Sequence, residues 1–143
     1  MPNLRQFCTF HVDDLFLGVE VEKVQEIIRQ QPITRVPKSS YVVRGLINLR
    51  GQIVTAIDLR RRMQIPDRPD GAAPMNVVLA TDEGKVSLLV DRVGDVLHVD
   101  EEIFERPPET MTSATRELIR GAYKLDNRLM LALETDKVVQ LDR

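Results

Sequence analysis

The chain has 143 residues, about the length of one ordinary domain, with 20 Lys and Arg against 22 Asp and Glu. The formal charge of −2 creates no overall field that would gather phosphates or anionic lipid, which argues against nucleic acid as a partner. The single cysteine, Cys8, excludes an internal disulfide, and no apolar run approaches the ~20 residues of a membrane span or follows a basic leader. We therefore expect a cytoplasmic protein without direct membrane insertion.

Apolar residues recur at every second position along most of the chain, beginning with Cys8, Phe10 and Val12. This alternation is typical of short, half-buried strands, and it predicts about nine or ten of them. The links between the alternating segments are short enough for hairpins, so antiparallel pairing is expected. The clearest turn signals are VDDL at residues 12–15, TDEGK at 81–85 and LDNR at 125–128.

Helical spacing is confined to three short segments. Val21, Val24 and Ile27 lie three residues apart, which predicts one short helix. A second helix is predicted after Asp58, a residue type that caps helix N-termini, and a third near Thr135. Helix is therefore expected to be the minor element.

The number of predicted strands bounds the architecture. It is too large for one five-stranded barrel, and four Phe, two Tyr and no Trp are few aromatic residues for an immunoglobulin-like core. Two small barrels around a shared core are the economical alternative. Residues 65–74, IPDRPDGAAP, are rich in Pro, Gly and Asp, so the division between two subdomains is predicted there. We expect one mainly β domain over residues 1–143, with terminal strands able to cross between subdomains.

Motifs for catalysis, metal binding and cofactor binding are missing from the sequence. His11 and His98 have no second cysteine or H-x-x-x-H pair to complete a metal-ligand set. Cys8 is predicted on the core face of its strand, where a thiol is poorly reactive. The dipeptide Gly84-Lys85 lacks the flanking residues of a phosphate loop. We therefore expect a protein that is not an enzyme and that needs no metal and no cofactor.

Arginines at two places need an explanation. Arg60, Arg61 and Arg62 form a basic run without interleaved aromatic residues, so a solvated helix face is the favoured interpretation, with an acidic protein partner as the alternative. Arg50 lies within the apolar stretch GLINLRGQIVTAIDL, at the end of a predicted strand where Gly51 permits a sharp turn. Arg50 is then either a local brace paired with a carboxylate or a charge at the lip of a groove.

Several segments, in this order and spacing, resemble the CheW family of bacterial chemotaxis coupling proteins. The resemblance runs from about residue 5 to residue 141, and the tetrapeptide NLRG and the segment VDRVGDV are its most specific parts. It implies two SH3-like five-stranded β-barrels packed around a shared core, with short helices. One departure is Thr55-Ala56, where the family often has a proline. The matching segments are EVEKVQEII, PITRVP, VRGLINLRGQIVTAIDLRRRM, VSLLVDRVGDVLHV and LIRGAYKLDNRLMLALETDKVV.

The resemblance implies a non-enzymatic scaffold. Such a protein would couple the regulatory domain of a CheA-type histidine kinase to the cytoplasmic tips of chemoreceptors, and it would be recruited to membrane-associated receptor arrays. The receptor's helical hairpin would lie in a groove between the barrels, as in other helix-in-groove complexes. For the valines and Ile27, ordinary core packing stays open as the alternative. The matching groove positions are Val24, Glu26, Ile27, Gly45, Arg50, Gly51, Ile53, Val93 and Val96.

Further contacts, with the kinase and with neighbours in a ring of alternating kinase and coupler, are implied for Thr34, Arg35, Phe104 and Met111. The loop before PPETM is shorter than in the family, which leaves the identity of the partners open. One alternative is a coupler with the same contacts in a related non-flagellar pathway, such as surface motility. A small-ligand sensor or a hydrolase is an alternative from a different class, since a groove between barrels can hold a ligand.

Overall fold

The computed structural model describes residues 3–69, 71–82 and 84–140. Three predicted segments therefore lie partly outside the described residues: the division at 65–74, the turn at 81–85 and the end of the resemblance at residue 141. The first elements are β1 (Leu4–Val12), β2 (Leu15–Glu20), β3 (Val24–Ile28), β4 (Val43–Leu49), β5 (Gln52–Asp58), α1 (Leu59–Arg62) and β6 (Met75–Thr81). The later elements are β7 (Gly84–Val90), β8 (Arg92–Asp100), β9 (Phe104–Glu105), α2 (Ser113–Arg116), β10 (Ile119–Lys124), β11 (Leu129–Leu133) and α3 (Thr135–Val139).

The strands form two sheets. The six-stranded sheet has the order β8-β1-β2-β11-β10-β9, and the five-stranded sheet has the order β3-β6-β7-β5-β4. Most neighbours are antiparallel, but β2 pairs with β11 and β5 pairs with β7 in parallel. The predicted fold class, mainly β with two small sheets and short helices, is confirmed. The difference from two five-stranded barrels is β9, a strand of 2 residues that extends the first sheet.

The predicted division at residues 65–74 is wrong. This segment connects α1 to β6, and the strands on both sides of it, β5 and β6, belong to the five-stranded sheet. The chain passes between the sheets after β2 and again after β7, so the two N-terminal strands join the C-terminal strands. Strand pairing sets the boundary here, whereas a Pro- and Gly-rich composition marks a surface loop of any kind.

The helix predicted from Val21, Val24 and Ile27 is also wrong. Val21–Lys23 forms one 3₁₀ turn, after which the chain becomes β3. Val24 pairs with Leu79 of β6, and Ile27 pairs with Val77 of the same strand. A single turn followed by an irregularity in the strand register reproduces a three-residue spacing, and β-branched Val and Ile suit the strand better than the helix.

The other two predicted helices and the first predicted hairpin are confirmed. The Asp58 carboxylate caps α1 by accepting a hydrogen bond from the backbone N–H of Arg60 at 3.0 Å. The third helix begins at Thr135, as predicted. In the first hairpin, Asp13 adopts φ 54°, a conformation that Asp tolerates in tight turns.

The basic run at Arg60 to Arg62 is not a solvated face. Arg60 is 9% exposed, and its guanidinium donates from Nε and Nη2 to the carboxylate of Asp91 at 2.9 and 2.7 Å. Arg62 donates from Nε to the carbonyl oxygen of Val138 in α3 at 3.1 Å. The favoured interpretation from sequence failed because the acceptors lie far along the chain, where local composition gives no sign of them.

The main hydrophobic core is built from both sheets. Phe10 of β1 and Leu17 of β2 lie in the same buried cluster as Val77 of β6 and Leu88 of β7. The opposite face of β1 is buried as well. Phe7 on that face belongs to a second buried cluster, which is built from residues of the six-stranded sheet. Cys8 is buried, as predicted. The two sheets therefore share the main core, and each also has a smaller buried cluster of its own.

Candidate functional site

The NLRG tetrapeptide forms the turn between β4 and β5. Arg50 and Gly51 adopt positive φ values of 52° and 86°, and the Gly51 backbone N–H donates to Oδ1 of Asn48 at 2.9 Å. This geometry directs Arg50 away from the sheet, and its side chain is 74% exposed. The prediction that Arg50 ends a strand at a sharp turn is confirmed.

Arg50 forms an ion pair with Glu26, whose side chain is 18% exposed. Nη1 of Arg50 donates to Oε2 of Glu26 at 2.6 Å. This hydrogen bond lowers the pKa of Glu26 and raises the pKa of Arg50, with the opposite charges adding to both effects. The pair is therefore a brace between two segments, and the exposed guanidinium also presents N–H donors to solvent.

The ion pair belongs to a seam where the five-stranded sheet closes on itself, which we call the barrel seam (Glu26, Thr34, Leu46 and Arg50). β3 and β4 are the two edge strands of that sheet, yet the segment that follows β3 pairs with β4. Thr34 and Leu46 exchange two backbone hydrogen bonds, both 2.8 Å long. Closure of this kind pairs the free edges of a sheet and is typical of small barrels.

Gly45 is part of this closure. It is buried at φ 148°, and a Cβ at this position would overlap the carbonyl oxygen of Thr34 and the side chain of Ile33. A glycine is required because the two backbones approach so closely. The structure thus gives Gly45 a role in barrel closure, whereas Gly51 is exposed and a Cβ added there would meet nothing within 4 Å.

The apolar groove candidates fall into two groups. Ile53 on β5 is 65% exposed and Val96 on β8 is 50% exposed, so the core interpretation of Val96 is excluded. Val24, Ile27 and Val93 are half-buried and pack against the edge of the main core. Ile53 and Val96 are therefore accessible to a partner.

The candidates for kinase and ring contacts also differ in exposure. Thr34 and Arg35 are exposed, whereas Phe104 and Met111 are half-buried. The ring of Phe104 packs against Tyr123 with centroids 5.1 Å apart, and Met111 packs against the main core. Internal packing therefore accounts for much of the surface of Phe104 and Met111.

An ionic network that sequence reasoning missed joins the two sheets. Asp91, between β7 and β8, accepts from Arg60 and also from Nε of Arg68 at 3.2 Å and from the backbone N–H of Asp13 at 2.7 Å. Asp58 is fully buried and accepts from Arg68 as well. The available signal was a charged residue, Asp91, directly after the mainly apolar run VSLLV.

This network has a strong effect on the ionisation of Asp91. Burial by itself would raise the pKa of Asp91, but hydrogen bonds from Arg60 and from the Asp13 backbone, with the nearby positive charges, bring that pKa down to about 2. Asp91 is therefore ionised at any physiological pH. Its charge holds the turn of the first hairpin against α1 and the segment that follows α1.

Two side chains that could serve as a nucleophile or a metal ligand, Cys8 and His11, lie on β1. In residues 3–69, 71–82 and 84–140 no group of three or more His, Cys, Asp or Glu side chains could hold a metal ion. Burial raises the pKa of the Cys8 thiol and lowers the pKa of His11, which Arg92 and Arg128 lower further. No helix in this part of the chain is long and apolar enough to cross a bilayer.

The model of the CheW-like domain matches residues 6–143. The chain belongs to the CheW-like domain family. Over 132 residues it is 32% identical to the probable chemotaxis protein CheW of Rhizobium etli, covering 92% of this chain and 85% of that protein. It is 31% identical to the chemotaxis protein CheW of Thermotoga maritima, with the same coverage of 92% and 85%.

The fold agrees with a crystal structure of the family. The scaffolding protein TtCheW from Thermoanaerobacter tengcongensis superposes with a TM-score of 0.85 and 26% identity, covering 99% of this chain and 95% of that one. Members of the CheW family are scaffold or adaptor proteins of chemotaxis. The resemblance stated from the sequence segments is thus confirmed.

Proposed function

We propose that the protein is a non-enzymatic scaffold that couples a CheA-type histidine kinase to the cytoplasmic tips of chemoreceptors. It would bind the regulatory domain of the kinase and act in the cytoplasm, at membrane-associated receptor arrays. The observation that carries the proposal is the exposure of Val96, Ile53 and Arg50, each of which is accessible to a partner. Membership of the CheW-like domain family supports the same conclusion.

The chemistry of these side chains suits a helical partner. An amphipathic helix is recognised by apolar anchors with polar groups beside them. Val96 and Ile53 supply exposed apolar surface. Val93 is half-buried and packs against the main core, so it adds apolar surface beside that core. The Arg50–Glu26 pair supplies charge that fixes the register of a docked helix more than it adds affinity.

The first test uses substitutions at Arg50. Because the Arg50–Glu26 pair is exposed on the arginine side, Arg50→Ala should leave the melting temperature almost unchanged while it abolishes receptor-dependent control of the kinase. Arg50→Lys keeps the charge and loses the planar fork, so it should restore control in part. Arg116→Ala, which removes an exposed arginine from α2, is the matched control. The measurements are melting temperature, affinity for the isolated kinase regulatory domain, and assembly with receptor fragments.

A second variant tests the apolar part of the same surface. Val96→Glu places a charge on a half-exposed strand position, so it should abolish assembly with receptor fragments and leave cooperative unfolding intact. Val96→Thr keeps the β-branched shape without a charge and should retain most of the assembly. Unchanged receptor assembly in both Arg50→Ala and Val96→Glu would contradict the proposal. So would a parallel loss of kinase binding and stability.

A further inference from the structure

A concave region on the side of the five-stranded sheet is lined by residues from the segments 30–44, 61–69 and 71–74 together with Leu89, and we call it the basic cavity. Its volume is about 850 Å³, within the range of roughly 300–1,000 Å³ that is usual for small-molecule sites. Among the described residues its lining contains no carboxylate side chain. Its basic lining residues are Arg35, Lys38, Arg44, Arg61 and Arg68.

The positive charge of the basic cavity is neutralised only in part. The buried Asp58 accepts from Nε of Arg44 at 3.0 Å and from Nη1 of Arg68 at 3.4 Å. The single negative charge of this carboxylate is therefore shared between two arginines. Arg61 pairs with Asp67 at 3.2 Å. No ion pair to Arg35 or Lys38 is found in the part of the chain that the structure describes. A local surplus of positive charge follows, although the whole chain carries −2.

Arg68 adds an observation independent of this charge count. Its side chain is 6% exposed, and Asp58 and Asp91 accept from its Nη1 and Nε. Its remaining nitrogen, Nη2, is buried without a hydrogen-bond acceptor. Buried N–H groups are rarely left unpaired, because each costs free energy comparable to a lost hydrogen bond. An oxygen of an anion bound against Arg68 would supply the missing acceptor.

The remaining wall residues suit a small ligand better than a flat protein surface. The loop before β4 contributes the hydroxyl group of Ser40, a donor suited to anionic oxygens, and that of Ser39, which donates to the carbonyl oxygen of Val36 at 2.8 Å. Tyr41 is 67% exposed, and the guanidinium of Arg61 lies 4.4 Å from the centre of its ring. This stacking holds Arg61 at the cavity wall.

We infer that the basic cavity binds a small polyanion, a molecule that carries two or more linked phosphate groups. Arg35, Lys38 and Arg44 come from the segment before β4 and from β4, and Arg61 and Arg68 come from α1 and the segment after it, so the cavity gathers more cationic side chains than one phosphate group can engage. Guanidinium groups form paired, charge-assisted hydrogen bonds with phosphate oxygens. The inference goes beyond the scaffold function and does not depend on it.

The test is calorimetric titration of the full chain with sodium pyrophosphate at physiological ionic strength. We expect saturable binding to the wild type and weaker binding of orthophosphate, which has one phosphate group. The double variant Arg35→Glu/Lys38→Glu should reduce pyrophosphate affinity by at least about tenfold, because two charge-assisted contacts become repulsive. The control Arg116→Glu/Lys124→Glu makes the same change of charge at exposed residues outside the cavity and should stay within about twofold of the wild type.

Two further measurements make the result specific. Thermal melts should show that both double variants fold, and amide NMR shifts caused by pyrophosphate should be centred on Ser39, Ser40 and Arg68. The inference is overturned if the wild type shows no saturable binding, if both double variants weaken it equally, or if the shifts lie elsewhere. If Arg35→Glu/Lys38→Glu abolishes binding of the kinase regulatory domain while the wild type ignores pyrophosphate, the cavity wall is a protein contact. The scaffold function would then stand without the polyanion site.

Discussion

Single residues in this protein take their roles from partners far along the chain. The basic run was expected to be solvated, but Arg60 reaches Asp91, which lies 31 positions later. Arg50 behaves differently, since the sequence alone predicted its position at a strand end and the structure adds its partner, Glu26, 24 positions earlier. Local pattern predicts whether a residue lies on a strand or in a turn, and it carries no information about which distant carboxylate lies nearby.

The residue with the most acceptor contacts in this network is Asp91, which leads to a prediction for stability. Asp91→Asn removes a half-buried negative charge from between Arg60 and Arg68, so it should lower the free energy of unfolding by roughly 2–4 kcal/mol. Asp95→Asn, at an exposed position on β8, is the matched control and should change it by less than about 0.5 kcal/mol. Urea denaturation at neutral pH measures both.

The pH dependence of unfolding tests the same contact independently. The pKa of Asp91 in the folded chain is about 2, below the value of about 4 for an unfolded aspartate, so the folded state binds its proton less readily. The stabilisation is therefore complete above pH ~4 and is lost as the pH falls from about 4 to about 2. Over that window the wild type should lose up to about 2 kcal/mol more than Asp91→Asn does. Parallel pH profiles would show that Asp91 does not carry the effect.

Among elements, hairpins were predictable and the sheet edges were not. Period-two alternation and short turns identify β1 with β2 and β10 with β11, because both signals are local. The sequence of β3 gave a false helix signal, since its pairing with β6 depends on residues about fifty positions away. The barrel seam could not be predicted from the sequence for the same reason, although Gly45 lies where the two backbones approach each other.

Closure of the seam gives a prediction at the scale of the element. Gly45→Ala places a methyl group against the carbonyl oxygen of Thr34, in a backbone conformation that L-residues rarely adopt, so it should destabilise the fold by roughly 2–4 kcal/mol. Gly51→Ala also has a positive φ but meets nothing within 4 Å, so it should cost about 1 kcal/mol from backbone strain alone. Urea denaturation of the two variants measures the difference. Equal losses would mean that conformation, and not close approach, determines the need for glycine at position 45.

The whole molecule is interlocked in a way that the order of its elements does not suggest. The two N-terminal strands join the C-terminal strands, and the five-stranded sheet is inserted between them in sequence. The main core takes residues from both sheets, and the Asp91 network links the first hairpin to α1. A Pro- and Gly-rich loop gave the wrong boundary because no linker separates two independent halves. Composition and periodicity, in contrast, predicted the shared core and about nine or ten strands, where the described residues form eleven.

This arrangement predicts a single cooperative unfolding transition. Phe10 lies on β1 in the six-stranded sheet, but it is fully buried in the cluster that includes Val77 of β6 in the five-stranded sheet. Phe10→Ala should therefore lower the stability of both sheets together, by about 3–5 kcal/mol. Leu4→Ala, on the same strand but 55% exposed, should shift stability by less than about 0.5 kcal/mol.

The measurement is a urea titration followed by amide NMR signals of β2 and β6, one from each sheet. Coincident midpoints that Phe10→Ala moves equally are expected, because the largest buried cluster takes residues from both sheets and only smaller clusters belong to one sheet alone. Separate midpoints for β2 and β6, or a shift confined to β2, would mean that each barrel is stable by itself.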